Sequence, residues 1–307
     1  MKRKIIQIAG STHLVSLPKE WIVQNNVKKG DEVDVSHEHE RVVITTANAP
    51  VEQSVTLDAR SMKKFIFRLV LAVYKSGYDH VELIVNDPLV LSNLSRQITT
   101  MMPGFEIVDQ QSDRVTIKNL SKVLDSEFDV LLRKIFLLLK TIGKNTHEVL
   151  QNKERAKLEE VLILEQTCAR FCNFCERMLN KNGHKDLRKI GFLSNVVHDL
   201  AKLGSQYRHL CLYLLDPKNQ KNAVKISSEL LETLEKVTNL YTEVYELFYK
   251  YDPDKISPIA QKRDAIALSC QSLLLSKKTD PLVVHFVLSI TDTTFTVMKS
   301  YLGIVVV

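Results

Sequence analysis

The chain has no run of about 18 uncharged apolar residues, the length a helix needs to cross a bilayer, so no membrane insertion is expected. Its basic start, Lys2-Arg3-Lys4, is not followed by the apolar stretch of an export signal, because Gln7, Gly10, Ser11 and His13 interrupt it. Glycine-rich phosphate loops, G-x-S-x-G elbows and H-E-x-x-H helices are absent. No catalytic set can be named on that basis, and a protein that is not an enzyme, with no cofactor and no metal site, is expected. The cysteines number only five, and three of them stand at helical spacing. An odd, clustered set argues against a disulfide framework and for reduced thiols in a cytoplasmic setting.

What is present can fill more than one core. The 307 residues are 45% hydrophobic and 25% charged, ordinary values for two or three soluble domains. The net charge of +6 permits an anionic partner without demanding one. Its distribution says more. Residues 1–30 carry Lys2, Arg3, Lys4, Lys19, Lys28 and Lys29 against Glu20; residues 31–50 carry Arg41 against Asp31, Glu32, Asp34, Glu38 and Glu40.

Residues 1–46 read as strand, turn, strand, short helix, turn and hairpin. Gly10-Ser11 marks the first turn, Pro18 suits the first helical position, and the helix should end near Asn25-Asn26. Gly30-Asp31 supplies the next turn, after which Val33 and Val35 pair with Val42 and Ile44. So small a unit cannot bury a sufficient core alone and should dimerise or lean on the rest of the chain. "TANAPVEQS" at 46–54 reads as a linker, and residues 55–119 alternate helical and extended patterns. There a helix stops at Gly77, "HVELIV" is a strand, Pro88 stands near the start of a second helix, and a hairpin turns around Ser112-Asp113. From residue 120 the pattern is helical, in segments near 121–149, 153–181, 184–215, 222–251, 257–278 and 281–304. The breaks fall at Gly183, Asp216-Pro217, Asp252-Pro253 and Asp280-Pro281, and the count suggests a duplicated three-helix unit.

Three constellations compete for a chemical reading. Cys168, Cys172 and Cys175 in "CARFCNFC" have the thiolate spacing of an iron–sulfur loop. They recur with Val161, Glu165 and Leu179 every three or four residues, however, which is the core seam of a helix. His37 and His39 flank a hairpin tip, and His198 and His209 lie three turns apart on one helix, with no third ligand placed beside either pair. Lys2, Arg3, Lys4 and Lys19 make the stronger case, since a dimer would double them into one positive surface suited to a phosphate backbone.

With those residues in view, "KRKIIQIAGSTHLVSLPKEWIVQNNVKKGDEVDV" followed by "RVVIT" resembles the SpoVT/AbrB swapped-hairpin family over about 46 residues. The resemblance implies an interlaced dimer that binds double-stranded DNA through Lys2, Arg3, Lys4 and Lys19. The remainder is similar to PhoU-domain proteins, helical regulators of phosphate uptake, in the fusion typical of archaeal sequences. "RLVLAVYKSGYDHVELIV" resembles the intermediate segment of that fusion, and "HDLAKLGSQYRHL" resembles the helix that carries the family's metal-binding carboxylates. Asp199, Leu200 and Gly204 match it, but Ala201 and Ser205 occupy the two ligand positions, and Thr294 and Met298 their counterparts in the second repeat. A lone Glu165 on the neighbouring seam is expected to find a basic partner rather than support a cluster.

The expectation is therefore an α+β protein. A swapped-hairpin β-barrel dimer (1–46) should lead through a small α/β segment (55–119) to two PhoU-like three-helix repeats (120–307). It should act as a cytoplasmic DNA-binding regulator of phosphate uptake, with a phosphate transporter or signalling protein as a further partner. The alternatives are an adaptor that dimerises through the hairpins and docks on a transporter without touching DNA, and a cluster enzyme using the three cysteines.

Overall fold

A computed structural model describes residues 1–8, 10–38, 41–46, 52–62, 65–85, 88–121, 127–221, 224–276 and 278–306. The chain divides into two compact units, Met1–Gln53 and Ser54–Val307, and is mixed α+β.

In the first unit β1 (Ile6–Ile8) and β2 (Thr12–Leu14) form an antiparallel hairpin with Gln7 opposite His13. Gly10 makes its turn at φ +80°, a left-handed conformation that favours glycine, and its carbonyl accepts a 2.8 Å hydrogen bond from Gln7 Nε2. Helix α1 (Lys19–Gln24) starts one residue later than expected: Pro18 is its N-cap, with extended ψ of 133°, rather than its first helical residue. The helix ends as its asparagines require, with Asn25 as C-cap and Asn26 at φ +50°. The second hairpin pairs β3 (Val33–Glu38) with β4 (Arg41–Thr46), Val35 opposite Ile44. His39 and most of the segment read as a linker lie outside the described residues.

The second unit opens with a strand that the sequence does not announce, beginning at the last residue of the expected linker. β5 (Ser54–Asp58) buries Val55 and Leu57 partly while Ser54, Thr56 and Asp58 face solvent. It is followed by α2 (Ile66–Lys75), β6 (His80–Ile84), α3 (Pro88–Met101), β7 (Phe105–Gln110) and β8 (Arg114–Asn119). The sheet order is β5-β6-β8-β7. β5 runs parallel to β6, while β8 inserts antiparallel between β6 and β7. A parallel neighbour requires a crossover, which α2 provides.

The helices follow as α4 (Phe128–Gln151), α5 (Leu158–Asn182), α6 (Ile190–Leu215), the short α7 (Pro217–Lys221), α8 (Ser228–Tyr249), α9 (Ile256–Ser276) and α10 (Pro281–Val305). Their boundaries follow the chain's punctuation. Gly183 ends α5 at φ +77°, Asp280 caps α10 by accepting from the Leu282 and Val283 amides, and Pro281 stands in the first turn. α4, α5 and α6 pack on one another, as do α8, α9 and α10, and the two sets meet where α4 contacts α8 and α6 contacts α10. Sheet, flanking helices and bundle share one hydrophobic core. α10 is long and apolar enough to cross a membrane, although Asp292 and Lys299 break any uncharged run along it. In the fold its buried residues, among them Val287, Ile290 and Val297, belong to that shared core, and α10 packs on α6, α8 and α9.

Candidate nucleic-acid interface

All four expected contact residues lie on the surface of the first unit. Lys2, Arg3 and Lys4 precede β1 and are exposed, and Lys19 is the first residue of α1, also exposed. None of the four makes an ion pair among the described residues. Behind them, the β1–β2 turn is held by the Gln7–Gly10 bond, and the next turn by Asp31, whose carboxylate accepts from the Lys28 amide at 2.8 Å.

The same unit lacks an interior. None of its described residues is buried, and Ile5, Ile6, Leu14, Val23 (64% exposed), Val35 and Val42 (66%) stand open to solvent. Trp21 is half-buried. Alternating strands with an apolar face that covers nothing are the mark of a module completed by association.

The helical unit treats its singled-out residues differently. Cys168, Cys172 and Cys175 are buried in the core of α5, as their spacing implied. The hydrogen bond with Cys168, and then burial, hold the Cys172 thiol well above its ordinary range; burial does the same for Cys175. Protonated core thiols are neither nucleophiles nor ready ligands. His198 and His209 are both exposed on α6. Among the described residues no group of three or more His, Cys, Asp or Glu could hold a metal ion. At the carboxylate positions of the resemblance, Ala201 packs against the core, while Thr294 and Met298 are buried. Asp199 accepts a 2.8 Å hydrogen bond from the Ser300 hydroxyl on α10.

Glu165 did find a basic neighbour. It is buried on α5, and Arg208 Nε of α6 stands 3.9 Å from its Oε2. Gly204 of α6 lies opposite it; a Cβ there would make an ordinary contact, 3.7 Å from Glu165 Oε1. Burial pushes the Glu165 carboxyl above its ordinary range, with Arg208 acting the other way. A carboxyl whose folded pKa exceeds its unfolded one favours folding most when protonated, so its contribution falls as pH rises through the raised value. Glu165→Gln is therefore expected to raise the melting temperature at pH 7 and to change little at about pH 3, where the carboxyl is largely protonated in both states. Thermal unfolding at the two pH values checks this; a less stable variant at pH 7 would mean that the Arg208 attraction outweighs the burial cost.

The sequence does not single out Arg177, whose guanidinium makes three hydrogen bonds to the α/β segment. Arg177 of α5 donates through Nη1 to the carbonyls of Tyr74 (2.8 Å) and Tyr78 (2.6 Å), and through Nη2 to Asp79 Oδ1 (2.8 Å). Its guanidinium lies 5.0 Å from the Tyr74 ring centre and 5.2 Å from that of Phe105. Lys181 pairs with the same Asp79 oxygen, and Asn173 donates to the Met101 carbonyl at 3.0 Å. This polar stripe fastens the sheet segment to α5. Gly77 lets the two approach: it has φ +93°, and a Cβ there would meet Lys181 Cβ at 2.9 Å.

The hairpin pair, short helix and open apolar face define the first unit as a small β-hairpin module with Lys2, Arg3, Lys4 and Lys19 on its surface. Residues 6–52 match the family described as "Antidote-toxin recognition MazE, bacterial antitoxin", whose domain is of the same MazE/AbrB type as the swapped-hairpin resemblance. The match lies within the first unit and leaves the helical region unassigned. No curated protein and no solved structure matches the chain.

Proposed function

We propose that this protein is a cytoplasmic, dimeric transcriptional regulator without catalytic activity. Its first unit binds double-stranded DNA through Lys2, Arg3, Lys4 and Lys19, and its helical region is a PhoU-like sensory or partner-binding domain serving phosphate uptake. The observation that carries the DNA-binding half is the first unit itself: unpaired basic side chains on a hairpin module, matched to a MazE-type domain, with no buried residue among those described. A second copy that exchanges hairpins covers those valines and isoleucines and doubles the positive surface. The PhoU-like half is supported by two mutually packed three-helix sets and by the "HDLAKLGS" stretch on α6. Without the carboxylate pair, that domain signals through protein contacts rather than a metal cluster.

Two measurements on the full-length chain test the reading. Light scattering at low micromolar concentration is expected to give at least twice the 35.1 kDa chain mass; a clean monomer rules the swapped hairpin out. Binding to a duplex, followed by fluorescence anisotropy, is expected to weaken by roughly 10³-fold between about 50 and 200 mM salt. A dimer that shows no such salt-dependent binding would instead be the transporter-docking adaptor.

A further inference from the structure

From Val130 to His147, α4 contains no acidic residue, yet it carries Arg133, Lys134, Lys140 and Lys144. Its inward side is fully used, with Leu132, Ile135, Phe136, Leu139 and Ile142 in the core. The outward side is not. Val130 (55% exposed) and Leu137 (44%) lie seven residues apart, two turns along one face, and the four cations flank them. Lys134 and Lys140 have no acidic partner among the described residues. Lys144 makes only an exposed 3.5 Å contact with Glu148, and Arg133 is steadied by the Tyr249 ring, 5.3 Å from its guanidinium carbon.

We propose that this face is a docking surface for an acidic amphipathic helix of a partner protein. Two aliphatic anchors at two-turn spacing between basic flanks are complementary to a helix with an apolar stripe between rows of glutamate or aspartate. The apolar centre decides among anionic partners. A phosphate backbone offers nothing to Val130 and Leu137. A bilayer needs more apolar area than two aliphatic side chains provide. The inference gives the partner-binding half of the proposed function a location, and its readout uses no DNA, so the two can fail separately.

The probe is a labelled synthetic helical peptide with leucines two turns apart flanked by glutamates, titrated with the full-length protein. A peptide with the same leucines flanked by lysines is the control. The acidic peptide is expected to bind and the basic one not. Lys134→Glu combined with Lys140→Glu should weaken binding at least about tenfold, and Leu137→Ser about threefold. A circular dichroism spectrum identical to wild type confirms that these outward positions leave the fold intact. Absence of binding, or equal binding by wild type and both variants, overturns the proposal. So does loss of affinity for phosphatidylserine vesicles or a DNA duplex with peptide binding unchanged, which assigns the face to those ligands. A fall in assembly mass in the Lys134/Lys140 variant assigns it to a second copy of the chain and overturns it equally.

Discussion

Arg177→Ala is expected to destabilise the second unit by about 3–5 kcal/mol, the cost of removing one partner from a buried ion pair. Arg177 and Asp79 have side chains only 5% and 6% exposed, so deletion of the guanidinium takes from the buried Asp79 carboxylate its bond to Arg177 Nη2. It also leaves the Tyr74 and Tyr78 carbonyls, beside the C-terminal end of α2, without their Nη1 donor. Burial lowers the pKa of the guanidinium, with Tyr74 and Asp79 acting the other way. The measurable effect is a melting temperature lower by roughly 10 °C. Arg177→Met combined with Asp79→Leu should recover part of that loss, since a missing pair costs less than a buried charge that has lost a partner. A double variant no better than Arg177→Ala would mean that the carbonyl hydrogen bonds, not the ion pair, hold the segment.

The second large effect concerns DNA. Reversing Lys2, Arg3 and Lys4 together to glutamate should weaken duplex binding by at least about a hundredfold at low salt. Three side chains per protomer give up to about six phosphate contacts per dimer, so the slope of log affinity against log salt should shrink by about 5. All three residues are exposed and precede β1, so the circular dichroism spectrum should not change. Unchanged affinity and slope would move the footprint elsewhere on the molecule, and Lys19→Glu would then be the next variant to test.

Local signals were legible and distant ones were not. Gly183, Asp216-Pro217, Asp252-Pro253 and Asp280-Pro281 mark helix ends because caps and φ restrictions act within a few residues. The unfilled core of residues 1–46 was readable from its length alone. By contrast, the insertion of β8 between β6 and β7 is a crossover choice that no residue announces. Arg177 and Asp79 lie 98 residues apart, and Arg177 faces away from the cysteine seam, where sequence periodicity predicts solvent. The α/β segment covers that second face of α5, so a polar stripe became an internal fastening. For the proposed DNA interface, the basic residues were readable but nothing in them specifies a base sequence.

The order of the helices bears on how the chain is made. α10 has the hydropathy and length of a bilayer span, and a translating ribosome presents it after α6, α8 and α9. Those three form the surface it packs on, so its receiving groove can exist before it leaves the exit tunnel. A circular permutant that moves α10 ahead of α4 would emerge with no groove to enter, its apolar residues uncovered until α6, α8 and α9 follow.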